Sequence, residues 1–260
     1  MFPHWNVIGP LLAAADPRTI VEIGVCEGGT TSALLKHAAA HDAVVHGIDP
    51  APAPVVDELV HRHAGRFVLH RGRSLEVLPR LDSVDCVLID GDHNWYTVLN
   101  ELRLLARIKA PSRLFPLVFA HDVGWPYGRR DMYYDPETIP SEHRQQWRRG
   151  GMIPGQSELS DDTGLSRDGC NAVAEGTPRN GVRTAIEDFI AESDVPLRFE
   201  VLEGFFGLGI LISGDEVASN ERLRESLAVV ESPEFLEGQS RRLEAARVEG
   251  LARRRGRASS

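Results

Sequence analysis

Short β-branched runs recur through the first 120 residues with helix-forming stretches between them: TIVEIG, AVVHGID, RFVLHRG, VDCVLID and LVFAHD. Neighbouring parallel strands need long crossovers, which helices supply, so this alternation restricts the chain to an α/β architecture built on a parallel sheet. Runs that stay apolar throughout, such as Val84 to Ile89, suit strands covered on both faces. Pro116 leaves the start of the fifth strand open, because proline brings no N–H to a ladder. A helical pattern follows in NGVRTAIEDFIAES, and LRFEVLEGFFGLGILIS then predicts an antiparallel hairpin turning near Glu203 and Gly204. The expected fold is a doubly wound, mostly parallel seven-stranded sheet closed by one reversed strand.

With 260 residues, 42% of them apolar, the chain can bury one sizeable core, and a single domain over 1–260 is expected. Residues 124–179 break the pattern with Gly, Pro, Arg and aromatic residues and read as a lid inserted after the fifth strand. Residues 220–260 read as a helical extension with a basic, fraying end. The formal net charge of −9 opposes a general nucleic-acid role. Cys26, Cys86 and Cys170 are too scattered for a disulfide framework or a zinc knuckle. No long apolar span and no secretory leader are recognisable, so a cytoplasmic protein without a membrane partner is expected. His37, His41, His61 and His63 have no acid or cysteine spaced to complete a metal site.

In IVEIGVCEGGTTSALL the first strand runs out at Gly24, and a helix begins near Thr30 after Gly28 and Gly29. Small residues let a backbone approach a ligand, and a helix start favours negative charge. The spacing G-x-x-x-G-G departs from the dinucleotide fingerprint G-x-G-x-x-G and weighs against a pyrophosphate clamp. Glu22 lies within the same strand, and Asp49 closes the next one, where an acid can accept from a ribose diol.

The stretch VLIDGDHNWYTVLNELRLL passes from strand to amphipathic helix with Asp90, Asp92 and His93 at the joint. Asp122 holds the matching place after the next strand. Ligands bind at the carboxyl edge of an open parallel sheet, and two carboxylates facing a cleft there suit a hard divalent cation such as Mg²⁺. Without one, the acids repel and one tends to take up a proton. His93, with an imidazole that can accept a proton near neutral pH, is the candidate general base.

The glycine turn with Glu22 and Asp49 resembles the cofactor face of class I S-adenosylmethionine (AdoMet) methyltransferases. The Asp90, His93 and Asp122 arrangement resembles that of metal-dependent sugar O-methyltransferases, the broad group with macrocin-type relatives. That resemblance implies AdoMet as cofactor, with Glu22, Gly24, Gly28, Thr30, Asp49 and Asp90 on its binding face and Arg73 and Ser74 beside the adenine. Read from its position alone, Ser74 is a helix N-cap. It also implies Mg²⁺ or another divalent cation on Asp90 and Asp122. His121 stands where such enzymes often carry a further acid or amide, and it reads as a ligand, a supporting partner or core.

Trp125, Tyr127, Tyr133 and Tyr134, with Trp147, concentrate in a segment without helical or strand period, which predicts platforms for sugar rings rather than core. Arg129, Arg130, Arg144, Arg148 and Arg149 lie among them. Two uses stay open, contact with a substrate anion, Arg129 foremost, or pairing with Asp131, Asp135 and Glu137 inside a folded lid. A homodimer contact through this surface is a further expectation. The function expected is AdoMet-dependent, metal-assisted O-methylation of a saccharide, a polysaccharide precursor such as a mannoside, or a glycosylated metabolite. Alternatives are a metal-independent methyltransferase using His93, a nicotinamide-dependent oxidoreductase, and a non-catalytic AdoMet-binding module.

Overall fold

The computed structural model describes residues 1–109 and 115–258. Five strands alternate with helices as the sequence pattern requires: β1 (Thr19–Ile23), β2 (Val44–Ile48), β3 (Phe67–His70), β4 (Cys86–Ile89) and β5 (Leu117–His121). The helices are α1 (Trp5–Ala15), α2 (Gly29–His41), α3 (Val55–Arg62), α4 (Ser74–Val77) and α5 (Trp95–Lys109). β5 begins directly after Pro116, so the proline stands outside the ladder. α6 (Val182–Glu192) then leads into the hairpin of β9 (Leu197–Leu202) and β10 (Leu208–Ser213).

The seven strands are ordered β3-β2-β1-β4-β5-β10-β9. All pairs from β3 to β5 are parallel, and β10 runs antiparallel to both β5 and β9. The order reverses between β1 and β4, which opens a crevice at their carboxyl ends. This is the doubly wound sheet with one reversed strand that the sequence predicts.

Period-two alternation divides the strands between two cores. Ile20, Leu88, Phe119 and Ile210 face the layer of α1, α2 and α8 (Glu221–Val230). Val21, Val87, Val118 and Leu211 face α5 and α6, where Val98, Leu102 and Leu105 meet Ala185, Ile186 and Phe189. Asn94 Oδ1 accepts from the Thr97 N–H, satisfying one of the open donors at the start of α5.

The segment after β5 departs from the expectation of an aperiodic lid. It holds a second, antiparallel sheet, ordered β6 (Met132–Tyr133), β8 (Cys170–Ala172), β7 (Trp147–Arg149). Its centre is a small core of Tyr127, Met132, Met152 and Leu159, with Trp125 packed against it. Asp131, fully buried, accepts from the backbone N–H of Trp95 at 2.7 Å and of Gly181 at 2.6 Å, and from the Tyr133 hydroxyl at 2.8 Å. One carboxylate thus ties the insertion to the starts of α5 and α6. Arg130, also buried, donates to the carbonyls of Ala172, Val173 and Ser157 and to Glu175.

After β10 come α7 (Gly214–Ser219), α8 and α9 (Pro233–Ala258). The helical extension is therefore present, and the last two residues of the expected fraying end lie outside the described residues. Among the described residues, no helix is long and apolar enough to cross a membrane.

Candidate active site at the carboxyl edge of the sheet

β1, β2 and β4 deliver Gly24, Asp49 and Asp90 to the rim of one cleft of about 580 Å³, within the size range of small-molecule sites. Gly24 sits at φ +89°, and a Cβ there would lie 2.1 Å from the Asp90 carbonyl oxygen, so only glycine lets β1 turn beside β4. The Asp49 carboxylate is fixed by two backbone donors, Cys26 N–H at 2.9 Å and Ala51 N–H at 2.8 Å, with lone pairs left over. Arg73 and Ser74 line the same cleft.

Not every sequence-derived cofactor residue reaches this cleft. Glu22 is buried behind the turn, where its carboxyl accepts from the Thr31 hydroxyl at 2.5 Å. Burial pushes its pKa up to about 8 against that hydrogen bond. Gly28 is the left-handed N-cap of α2, with Thr30 in the first turn, and neither is among the residues lining the cleft. Ser74 opens α4, while Arg73 occupies the N-cap position without a side-chain cap, so the capping role read for Ser74 is not the one it plays.

Asp90 belongs to two neighbourhoods. Beyond the cleft, it forms with His93 and Asp122 a set of three potential ligand atoms within 4.8 Å of one another. Strand register explains the meeting: Ile89 pairs with Ala120, so Asp90 and His121 continue side by side and Asp122 follows at a sharp bend. Asp122 is held at φ +60°, an uncommon conformation for a residue with a side chain and a form of strain that concentrates at functional sites. His93 Nδ1 is buried 3.1 Å from Asp122 Oδ2, yet out of line for a hydrogen bond. Its ring packs edge-on to Tyr127 at 5.0 Å and Tyr134 at 5.8 Å, and its carbonyl accepts from the Met132 N–H.

His121 sits between the acids. Nδ1 is 3.1 Å from Asp90 Oδ1 and 3.0 Å from Asp122 Oδ2, and Nε2 is 3.0 Å from the Phe205 carbonyl. Both nitrogens face acceptors, so the ring is an imidazolium. Burial works against its charge, but the hydrogen bonds to Asp122 and Asp90 prevail and lift its pKa to about 9. Burial likewise opposes the charge of Asp90, but His121 and the Met1 ammonium, 2.7 Å from Oδ2, hold its pKa below the ordinary value. In this arrangement His121 bridges the two acids, which favours the supporting-partner role among the three readings open to it. His4, buried and edge-on to His121 at 5.6 Å, has its pKa lowered to about 4, chiefly by burial.

The aromatic segment divides. Tyr134 is exposed and lines the cleft together with Asp135, Thr138 and Ile139. Tyr133 instead belongs to the insertion's interior, its hydroxyl donating to Asp131 and accepting from the Gln145 N–H, so it does not meet the expectation of a substrate platform. Trp125 and Tyr127 pack in the small core, Tyr127 still touching His93. Arg129 is engaged by Glu187 on α6 at 2.6 and 2.7 Å. Arg144 binds Glu137 and Arg148 binds Asp161. Internal pairing, rather than a substrate anion, occupies these arginines.

Residues 21–123 match the family described as a methyltransferase domain.

The matched stretch holds the glycine turn, Asp49, Asp90, His93 and Asp122, and it ends as the insertion begins. An uncharacterised protein of Acanthamoeba polyphaga mimivirus is 29% identical over an alignment of 103 residues, which covers 34% of this chain and 45% of that protein. The chain thus spans less than half the length of that curated relative. Among solved structures, a Podospora anserina methyltransferase bound to S-adenosylhomocysteine (AdoHcy) matches with a TM-score of 0.49 and 13% identity, over 81% of this chain and 78% of that one. A Staphylococcus aureus protein provisionally named a caffeoyl-CoA O-methyltransferase gives 0.49 and 15%, over 82% and 83%. The strand order with its single reversed strand is that of the class I methyltransferase fold.

The hairpin turn and the N-terminus supply site residues that the sequence reading misses: Phe205, Phe206, His4 and Met1. A signal for the turn was available in GFFG, two aromatic residues between glycines.

Proposed function

We propose that this protein is an AdoMet-dependent O-methyltransferase acting on a saccharide hydroxyl, with a divalent cation held by Asp90 and Asp122. The observation that carries the reading is the double membership of Asp90, which lines the cleft and completes the Asp90, His93, Asp122 cluster. A methyl donor in the cleft therefore lies next to groups able to take a proton from an acceptor. The donor set fits the cation through its two carboxylate oxygens, and the buried His93 Nδ1 beside them, which has no hydrogen-bond partner, leaves the imidazole free to take a proton. AdoMet, when bound, supplies an electrophilic methyl group, and the cation supplies positive charge beside the oxygen that is losing its proton.

Everything else falls to the chain. Asp49 accepts from the ribose diol with the lone pairs its two backbone donors leave free, and Arg73 and Ser74 bound the adenine side. Gly24, without a side chain, would leave the rim of the cleft open to the donor. His93 accepts the proton of the attacking hydroxyl, while Tyr127 and Tyr134 keep water from its ring. His121, tied to the Phe205 carbonyl, orients both acids.

Calorimetry with AdoHcy and with NAD, followed by tritiated methyl transfer with and without Mg²⁺ after chelation, tests the reading. AdoHcy binds and NAD does not, and His93→Gln loses about 10²- to 10⁴-fold in turnover with AdoHcy affinity retained. Binding of NAD alone would sink the proposal. Undiminished transfer after thorough removal of metal supports a second reading, in which the His121 imidazolium between the two acids makes a metal unnecessary.

A further inference from the structure

Tyr134, 69% exposed, and Phe206, 45% exposed, are the large aromatic residues that stand open to solvent among the described side chains, and both adjoin the Asp90, His93, Asp122 cluster. The Tyr134 ring lies 5.8 Å from His93, and the Phe206 ring lies 6.3 Å from His121. They arrive from unrelated parts of the chain, one from the insertion after β5 and the other from the β9–β10 turn.

Each ring is held in place. Gly204, Phe205, Phe206 and Gly207 have φ of +93°, +48°, +70° and +85°, four consecutive residues in the left-handed region. A phenylalanine there is costly and persists only where its surroundings over-determine it. The Phe206 carbonyl accepts from the Gly124 N–H at 2.8 Å, and the Phe205 carbonyl receives His121. The fold thus bears backbone strain to present an apolar ring to water beside the proton-accepting cluster. Tyr134 follows Tyr133, which is buried and hydrogen-bonded at its hydroxyl.

The surroundings of the two rings carry carboxylates. Asp92 lines the cleft beside Tyr134, and Glu203, 70% exposed at its side chain and paired with Arg183 at 3.6 Å, lies over Gly124, two residues after Asp122. Carboxylates accept hydrogen bonds from hydroxyls and repel phosphate or carboxylate groups. Arg129, Arg144 and Arg148 of the insertion are engaged elsewhere, by Glu187, Glu137 and Asp161.

We infer that Tyr134 and Phe206 form the acceptor subsite and that it takes a neutral, ring-shaped polyol, a pyranoside, whose apolar faces rest on the two aromatic rings while a hydroxyl reaches His93. Aromatic faces favour flat apolar surfaces, and the carboxylates of Asp90, Asp92 and Asp122 favour hydroxyl donors over anions. This assignment rests on the proposed methyltransferase function and narrows its substrate.

The test offers tritiated AdoMet with three kinds of acceptor: the methyl pyranosides of mannose, glucose and galactose; D-mannitol, which has the hydroxyls without a ring face; and mannose 6-phosphate. AdoHcy calorimetry runs in parallel on every protein. At least one methyl pyranoside accepts the methyl group, with kcat/KM about tenfold or more above that of mannitol and of the phosphate. Phe206→Ala raises KM for that pyranoside about tenfold while its AdoHcy affinity stays at the wild-type value, and Tyr134→Phe keeps a KM that Tyr134→Ala loses. Mannitol or the phosphate serving as well as the pyranosides, unchanged KM in both alanine variants, or no transfer to any pyranoside by a protein that binds AdoHcy would each overturn the subsite. Failure of the wild type to bind AdoHcy strikes the proposed function itself.

Discussion

Glu101 shows how a single buried acid shapes the molecule. It lies on α5 with no exposed surface, neither carboxyl oxygen has a hydrogen-bond partner, and the Ser74 hydroxyl stands nearby without ordinary hydrogen-bond geometry. Burial lifts its pKa from 4.5 to about 8, Ser74 opposes the rise, and the charge of Asp92 adds to it. Between those two values the folded chain holds a proton that the unfolded chain has released. Stability tied to this group is therefore fully present below pH 4.5 and is lost as pH rises through about 8. Glu101→Gln keeps a neutral side chain of nearly the same shape at every pH. Urea unfolding at pH 5, 7 and 9 should show the variant losing less stability than wild type, by about 4 kcal/mol between pH 5 and pH 9. Parallel losses in the two proteins would mean that Glu101 is already ionised in the fold. Glu22, lifted to about 8 mainly by burial, keeps a wild-type pH slope of the same sign in the variant.

At the scale of elements, the hairpin turn makes a sharper prediction, because it joins sheet and site. A Cβ on Gly207 would lie 2.4 Å from the Gly124 nitrogen, and its φ is +85°. Gly207→Ala forces the turn away from residue 124, where the Phe206 carbonyl now accepts the Gly124 N–H, and disturbs the neighbouring Phe205 carbonyl on which His121 rests. The cost is about 1–3 kcal/mol for the strained backbone, and the site suffers along with stability. Thermal melts and methyl transfer should fall together in this variant, whereas Phe206→Ala alters transfer with little change in melting.

The strands and the hairpin were legible because hydrophobic period and length are local properties, and the site acids could be read from their places at strand ends. The insertion was not legible. Its strands are two or three residues long, too short to show a period. Its stability comes from long-range contacts of Asp131 and Arg130, residues that look solvent-seeking in a sequence. Tyr133 looked like a binding surface for the same reason, since an aromatic residue in an aperiodic stretch gives no sign of which neighbours will cover it. Asp90 and Asp122 were placed together by sheet logic, but the His121 bridge depends on the Phe205 carbonyl, 84 residues away, which no local pattern announces.

Across the whole molecule, ligand binding in the cleft and fold stability are one equilibrium, because the cleft is assembled from the ends of β1, β2 and β4 and roofed by the insertion at Tyr134 and Ile139. A ligand that binds only this assembled state stabilises it by RT ln(1 + [L]/Kd), about 2.7 kcal/mol at a hundredfold excess over Kd. For a domain of this size each kcal/mol moves the melting point by roughly 2–4 °C, so AdoHcy should raise Tm by about 5–10 °C. NAD at the same concentration should leave it unmoved, because the turn after β1 lacks the glycine spacing of a pyrophosphate clamp. Asp49→Ala removes the carboxylate proposed for the ribose, and with it the acceptor that the Cys26 and Ala51 N–H groups use in the free protein. That variant should start from a lower melting point and gain less from AdoHcy. A full AdoHcy shift in Asp49→Ala would place the ribose elsewhere, and a shift by NAD in the wild type would give the cleft to a dinucleotide.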